Sequence, residues 1–166
     1  TGEGGDRVVC DDAHNVREAE SDAVRKATLD WWDVVMSTRV NDPRTSAMVV
    51  VMQRCHQQDL SGHLLEQGGW EHLCLPVEYE GSRPATSIGF ADPRQDTGEL
   101  LWPERFGPPE IESLKRSLGS YAAAGQLQQR PSPAGGGLLK RHWFRFWQPA
   151  GGNLPPVIVR LPDGAQ

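Results

Sequence analysis

The chain has little cysteine, few aromatic residues and no long apolar run. Its three cysteines, Cys10, Cys55 and Cys74, are far apart and none belongs to a C-x-x-C pair, which argues against a zinc site or a redox dithiol. No stretch approaches the roughly 18 apolar residues that span a bilayer. The N-terminus lacks the basic, apolar and small-residue regions of a signal peptide. We therefore expect reduced thiols in a soluble, cytosolic protein that is not secreted.

An excess of positive charge is also absent. The formal net charge of −5 argues against indiscriminate coating of nucleic acid, although a local basic patch could still contact phosphates. The hydrophobic fraction of 37% is somewhat low for a compact domain, and 18 glycines and 13 prolines explain part of this. The 166 residues suit one core with an appended segment. Because the chain starts at Thr1 without methionine, we expect it to be a fragment of a longer protein.

The clearest local signal is a pair of adjacent carboxylates after a short apolar run. In RVVCDDAHN, Arg7 to Cys10 is a candidate strand, and Asp11 with Asp12 follows directly. Ionised carboxylates cost several kcal/mol to bury unless a cation or hydrogen bonds compensate them. A metal ion is therefore the candidate partner, and the alternative is a turn that caps a helix.

The next two segments predict a helix and a second strand. NVREAESDAVRKATLDWWDVVMSTRV has the apolar spacing of an amphipathic helix, which should begin near Val16 with Asn15 as its cap and Glu18 completing a capping box. SAMVVVMQR is a continuous apolar run, typical of a strand buried on both faces. Strand, helix and strand in this order predict a parallel βαβ unit.

A short helix, a strand and an irregular segment should follow. Asp59 can cap the short helix, and Gly68 with Gly69 can close it. WEHLCLPVEY is predicted to be another strand. Residues 80–108 are rich in Gly, Pro, Asp and Arg, and we expect them to be irregular.

The last part of the chain predicts one helix and a linker. The apolar period returns from Pro109, which suits a first helical turn, and the helix should fray near Gly125. QLQQRPSPAGGG has the composition of a linker. In LLKRHWFRFW, basic and aromatic residues alternate.

Six blocks of the sequence together resemble the large subunit of tailed-phage terminases. They are VVCDDAHNVREAESD, WWDVVMSTR, VVVMQRCHQQDLSGHLL, GGWEHLCLPVEY, GELLWPERF and SYAAAGQLQQRPSPAGGGLLKRHWFRFW, in the order found in that family. The resemblance covers nearly all of residues 1–148. It looks like the later part of the ATPase domain and the linker towards the nuclease domain.

The resemblance implies an α/β fold, namely part of a P-loop (RecA/ASCE-like) NTPase domain with a mainly parallel sheet. The C-terminal part of the ATPase domain would occupy residues 1–108, and a linker helix with a Gln/Pro-rich linker residues 109–134. A short β segment in residues 135–166 would lead to a truncated nuclease domain.

The implied function is that of a bacteriophage or prophage DNA-packaging motor. Such a protein is an ATPase and endonuclease that translocates and cuts concatemeric viral DNA at the procapsid. Its implied partners are double-stranded viral DNA, the portal protein of the procapsid and the terminase small subunit, with no membrane. It would form a ring of identical subunits in the host cell cytoplasm.

The resemblance also implies cofactors and site residues. ATP and Mg²⁺ are the implied cofactors, with Asp11 as the Mg²⁺ carboxylate, acting through water, and Asp12 as the catalytic, water-activating one. The sequence departs from the family pattern at two positions. Asp12 occupies a position that is commonly Glu, and Ala13 stands where Pro is frequent. The shorter Asp12 would act through a more distant water, and the turn would be looser.

Three further residues have both a functional and a structural interpretation. Gln53 and Arg54 end the second predicted strand, so they are expected to contact the nucleotide near the γ-phosphate and relay its hydrolysis. The alternative for Arg54 is an ordinary salt bridge. Arg39 could contact a phosphate or a neighbouring subunit, but compensation of a helix C-terminus is favoured.

A rival arrangement is a hydrolytic metal site. His56, Asp59 and His63 form H-x-x-D-x-x-x-H and could act with Asp11 and His14. One short helical segment rarely points all three groups the same way, and Asp59 lies where a helix cap is needed. We therefore expect His56 and Asp59 to pair with each other or to brace the turn.

The basic and aromatic residues near the end could contact DNA. Lys140, Arg141 and Arg145 are the candidate phosphate contacts, with aromatic neighbours available for stacking. The same alternation also predicts a half-buried strand that docks against a domain.

Two motifs that a complete motor requires are missing from the sequence. No G-x-x-x-x-G-K-[ST] phosphate loop occurs, and no acidic cluster of a two-metal nuclease occurs. We therefore expect the isolated fragment to be inactive, with those parts lying upstream and downstream in the parent protein. The alternative classes are a stand-alone metallohydrolase, a non-enzymatic interaction module and a helicase with a similar ATPase core.

Overall fold

A computed structural model describes residues 3–81 and 86–132 of the chain. Two strands and three α-helices follow one another, with a short 3₁₀ helix after the first α-helix. They are β1 (Arg7–Asp11), α1 (Asp22–Val34), the 3₁₀ helix (Met36–Thr38), β2 (Ala47–Val51), α2 (Leu60–Gln67) and α3 (Pro108–Gln126). The predicted β segment of residues 135–166 lies outside the described residues, as do Lys140, Arg141 and Arg145.

The predicted βαβ unit is confirmed. β1 pairs with β2 in parallel, in a register that runs from Arg7 opposite Ala47 to Asp11 opposite Val51. Helix α1 provides the crossover between the strands. Both strands therefore end at the same edge of the sheet, which we call the carboxyl edge. The fold is mixed α/β, and the sheet has two strands within the described residues.

Helix α1 begins at Asp22, so the predicted start near Val16 is wrong. Asn15 does organise the preceding chain, because its carbonyl accepts the backbone N–H of Ala19 at 2.9 Å and its Oδ1 accepts that of Arg17 at 3.0 Å. These contacts close a turn that does not continue into the helix, since Ser21 is extended, with φ −80° and ψ 117°. The buried guanidinium of Arg25 donates to the carbonyl of Ala19 and so satisfies it without further helix.

The core lies on one face of the sheet. Its centre contains one residue of β1, one of α1 and two of α2, namely Cys10, Trp32, Leu60 and Leu64, and Met48 and Val50 of β2 pack against them. On the opposite face, Val49 is 43% exposed and Val51 is 53% exposed. The expectation that this strand is buried on both faces is therefore wrong, because α1 and α2 pack against one face.

The predicted strand in WEHLCLPVEY is also wrong. Residues 70–79 form no strand, only an isolated antiparallel bridge between Glu78 and Leu100. Pro76 has no N–H to donate to a strand partner, and the N–H of Val77 donates to the carbonyl of Leu127 at 2.8 Å. A groove of about 550 Å³ is lined by β2 on one side and by residues 70–75 on the other.

The two later helices agree closely with the prediction. Asp59 caps α2, and Gly68, with φ 76°, ends it. Helix α3 begins at Pro108, one residue before the predicted start, and a non-helical Gly119 with φ 73° interrupts it. It ends at Gln126, one residue after Gly125, close to the predicted end. The described part of the irregular segment, residues 80–81 and 86–107, contains no helix or strand.

Candidate functional site

Asp11 and Asp12 lie at the carboxyl edge, as predicted. Asp11 is the last residue of β1, and the N–H of Asp12 extends the ladder by donating to the carbonyl of Val51 at 2.9 Å. Asp12 has a φ of 45°, a left-handed conformation that Asp adopts more readily than most residues. Both residues are exposed. The strand pairing therefore fixes two neighbouring carboxylates where solvent or a ligand can reach them.

The chain leaving β2 forms a tight turn next to these carboxylates. We call residues 53–58 the β2 exit turn. Gln53 is exposed, whereas the Arg54 side chain is only 14% exposed and its Nε donates to both carboxylate oxygens of Asp59, at 2.9 and 3.0 Å. Its Nη2 donates to the carbonyl of Gln57 at 3.2 Å. The salt bridge considered as an alternative for Arg54 is thus present in the structure.

Asp59 is fully buried and organises this turn. Its Oδ1 accepts the N–H of Gly62 at 2.9 Å, which caps α2, and its Oδ2 accepts the N–H groups of Cys55 and His56 at 3.0 and 3.3 Å. Gly62 is required here, because an added Cβ would lie 2.0 Å from the carbonyl oxygen of Gln57. One carboxylate therefore ties the β2 exit turn to the start of α2.

His14 joins the end of β1 to the same helix. Its Nε2 accepts the N–H of Leu60 at 2.9 Å, and the side chain is buried. Burial lowers the pKa of His14, so the ring is kept neutral and can accept this bond. The sequence singled out His14 only as a possible metal ligand, because its partner is 46 residues away along the chain.

Cys55 is the buried residue of the β2 exit turn next to Arg54. Burial, together with the negative charges of Asp59 and Asp12, raises the pKa of its thiol to about 11. Asp12 is hydrogen-bonded to Val51, the last residue of β2, two residues before the β2 exit turn begins. The ends of β1 and β2 form one polar site, as the parallel arrangement predicts.

The structure does not bring the rival metal ligands together. The Nε2 of His63 lies 3.0 Å from both carboxylate oxygens of Asp33 on α1, and the Nδ1 of His56 accepts the N–H of Gln58 at 3.0 Å. Asp59 binds Arg54 instead. Across residues 3–81 and 86–132, no group of three or more His, Cys, Asp or Glu side chains could hold a metal ion. The expected bracing of the turn by Asp59 is present, since it accepts the backbone N–H of His56.

Arg39 lies at the other end of the sheet. Its carbonyl accepts the N–H of Gly5 at 2.9 Å, and the next residue, Val40, forms an isolated parallel bridge with Gly5. Gly5 precedes β1, so this contact marks the amino end of the strands. The backbone of Arg39 is thus remote from Asp11 and Asp12.

The donor set at the carboxyl edge fits Mg²⁺. This ion usually keeps several waters and is held by one or two carboxylates together with substrate phosphates. Asp11 and Asp12 supply two exposed carboxylates. In the described part of the chain, neither of them forms an ion pair with a basic side chain.

Comparisons with known proteins add no family assignment. No protein-family model matches the chain, and no curated protein matches it significantly. The likeness to terminases therefore depends on the sequence blocks alone. None of the helices in the described ranges combines the length and apolar character needed to cross a bilayer.

Proposed function

We propose that this chain is part of a phage terminase large subunit, the ATP-driven motor that packages and cuts viral DNA. The observation that carries the proposal is the position of Asp11 and Asp12, adjacent carboxylates at the carboxyl edge of a parallel βαβ unit and beside the β2 exit turn. The order of the sequence blocks is consistent with it. The proposed partners are double-stranded viral DNA, the portal protein and the small subunit, in a ring of identical subunits.

The proposed roles of the two carboxylates follow from their chemistry. Asp11 would hold Mg²⁺ through water, and Asp12 would orient and polarise the water that attacks the γ-phosphate of ATP. When bound, Mg²⁺ neutralises charge that develops on the phosphates. Asp12 is one methylene shorter than the usual Glu, so a second water would bridge the distance.

The β2 exit turn would sense the state of the nucleotide. Gln53 is exposed at the end of β2 and is the residue proposed to approach the γ-phosphate. Arg54 would transmit a movement of Gln53 to α2, because its ion pair with Asp59 connects the turn to the cap of that helix. A displacement of the turn would then move Asp59 and, with it, the start of α2.

The chain by itself is expected to hydrolyse no ATP and to cut no DNA. Its sequence contains neither a phosphate loop nor a nuclease acidic cluster. Phosphate release and nicking of plasmid DNA, measured on the purified 166-residue chain, test this expectation. Mg²⁺-dependent ATPase activity above background would contradict it.

In the parent protein, Asp12→Asn should abolish hydrolysis while ATP binding persists. The amide keeps the size of the side chain but cannot accept a proton from the attacking water, and such groups typically contribute about 10²-fold to 10⁴-fold in rate. Asp30→Asn is the matched control, because Asp30 is an exposed carboxylate on α1 paired with Lys26. Steady-state phosphate release and equilibrium binding of an ATP analogue are the measurements. Activity of the Asp12→Asn protein equal to that of the control would contradict the proposed role.

A further inference from the structure

The end of α3 holds the backbone of the β2 exit turn. The N–H of Arg54 donates to Oε1 of Gln129 at 3.0 Å, across 75 residues of sequence. The Nε2 of Gln129 donates in turn to the carbonyl of Gln126, the last residue of α3, at 2.8 Å. One side chain thus bridges the turn and the helix end.

The other backbone group of Arg54 also contacts α3. A Cβ added at Gly125 would lie 2.8 Å from the carbonyl oxygen of Arg54, and Gly125 is buried. Real Cβ atoms essentially never approach a neighbouring atom this closely. The helix end therefore packs directly on the turn, with no room for a side chain between them.

The backbone of Gln129 is in an unfavourable conformation. Its φ is 56°, in the left-handed region that few non-glycine residues adopt. The residues on either side bind another segment: Gln128 accepts the N–H of Glu78 at 3.0 Å and donates to its carbonyl at 3.2 Å, and Arg130 pairs with Glu80 at 2.9 Å. Gln128 and Arg130 thus bind residues 78–80, whereas Gln129 binds the β2 exit turn.

We propose that Gln129 is a positioning residue that couples the β2 exit turn to the chain after α3. This rests on the proposed function, in which the turn senses the γ-phosphate. A movement of Arg54 away from α3 breaks its hydrogen bond to Gln129 and releases the helix end. Through Gln129, the state of the nucleotide site would reach the segment that leads out of the ATPase domain.

The first test concerns the contact itself and uses the 166-residue chain. Amide hydrogen exchange, resolved by NMR, should be faster for the Arg54 N–H in Gln129→Ala, by up to about tenfold, since one hydrogen bond contributes about 0.5–1.5 kcal/mol. Gln128→Ala is the matched control, because it removes the same kind of side chain from the adjacent position. It should accelerate exchange at Glu78 and leave Arg54 unchanged.

A conservative variant keeps the test decisive if Gln129→Ala fails to fold. Gln129→Glu retains an oxygen that can accept the Arg54 N–H, so it should restore slow exchange there. Equal exchange of Arg54 in the wild type, Gln129→Ala and Gln128→Ala would overturn the positioning role.

The second test concerns coupling and uses the parent protein. Gln129→Ala should lower the kcat of ATP hydrolysis and leave the KM for ATP unchanged, and Gln128→Ala should match the wild type. Gln129→Glu should also lower the kcat, because it keeps the acceptor for the Arg54 N–H but loses the donor to the carbonyl of Gln126. If Asp12→Asn abolishes hydrolysis but Gln129→Ala leaves kcat unchanged, the coupling is overturned and the proposed function stands. If Asp12→Asn leaves hydrolysis intact, the proposed function fails, and the exchange of Arg54 still decides whether Gln129 positions the turn.

Discussion

A single buried histidine makes the stability of this fold depend on pH. His14 must be neutral for its Nε2 to accept the N–H of Leu60. Burial lowers its pKa in the folded state below the ordinary value of 6.5. The unfolded chain therefore binds the proton more readily, so stability is present above about pH 6.5 and is lost as the pH falls below it.

His14→Gln should remove this pH dependence. The amide oxygen of Gln can accept the Leu60 N–H but does not titrate. Urea unfolding followed by tryptophan fluorescence, between about pH 7.5 and about pH 5.5, gives the free energy of unfolding of both proteins across the histidine range. The wild type should lose stability towards the acid end, and the variant should lose less. Parallel pH profiles would show that another group is responsible.

Whether the sequence predicts the contact of a site residue depends on how many residues along the chain separate it from its partner. Asp11 and Asp12 could be assigned to the carboxyl edge because the apolar residues that place them there are their neighbours. The salt bridge predicted as an alternative for Arg54 forms with Asp59, five residues away, although the sequence did not indicate this partner. The contacts of His14 and Gln129 span 46 and 75 residues, and no local pattern indicates them.

At the scale of elements, the start of α2 is the best-defined junction. Asp59→Ala should destabilise the chain by about 3–5 kcal/mol, because Arg54 loses its partner while remaining largely buried. The loss of the helix cap accounts for about 1 kcal/mol of this total. Asp33→Ala is the control. Asp33 also forms an ion pair, with His63, but its side chain is 43% exposed, so its loss should cost at most about 1 kcal/mol.

Free energies of unfolding from urea titrations, followed by circular dichroism, test this difference. Equal losses in the two variants would mean that the pair of Asp59 with Arg54 contributes no more than a surface contact.

The elements that sequence predicted correctly carry their own boundary signals. Helix α2 has its cap and its terminal glycine within the segment, so its limits follow from local chemistry. Helix α1 starts later than predicted because the capping signal of Asn15 is used by a turn and Arg25 satisfies the carbonyl of Ala19. The missing strand near Val77 has a non-local cause, since its N–H is bound by the end of α3.

At the scale of the whole molecule, residues 3–81 and 86–132 cover the sheet on one face only. Val9 and Val49 are register partners, and they are 62% and 43% exposed, with Val51 beside them at 53%. Parallel sheets are otherwise almost always covered on both faces. The apolar sequence of β2 therefore correctly predicts a strand, but not its burial on both faces. Sequence could predict the βαβ unit but not which part of the strand surface stays exposed.

This exposed valine face should make the chain self-associate. Contiguous apolar surface on a soluble protein favours association, and a Lys in its centre opposes it through charge and desolvation. Val49→Lys should therefore lower association. Val34→Lys is the control, because Val34 is also exposed, at 73%, but lies at the end of α1 and not on the sheet. It should leave association unchanged. Sedimentation velocity over a series of protein concentrations measures the effect. The sedimentation coefficient of the wild type and of Val34→Lys should rise with concentration, and that of Val49→Lys should stay constant. If all three proteins stayed monomeric, or if Val49→Lys associated like the wild type, the uncovered face would not be the surface that drives association.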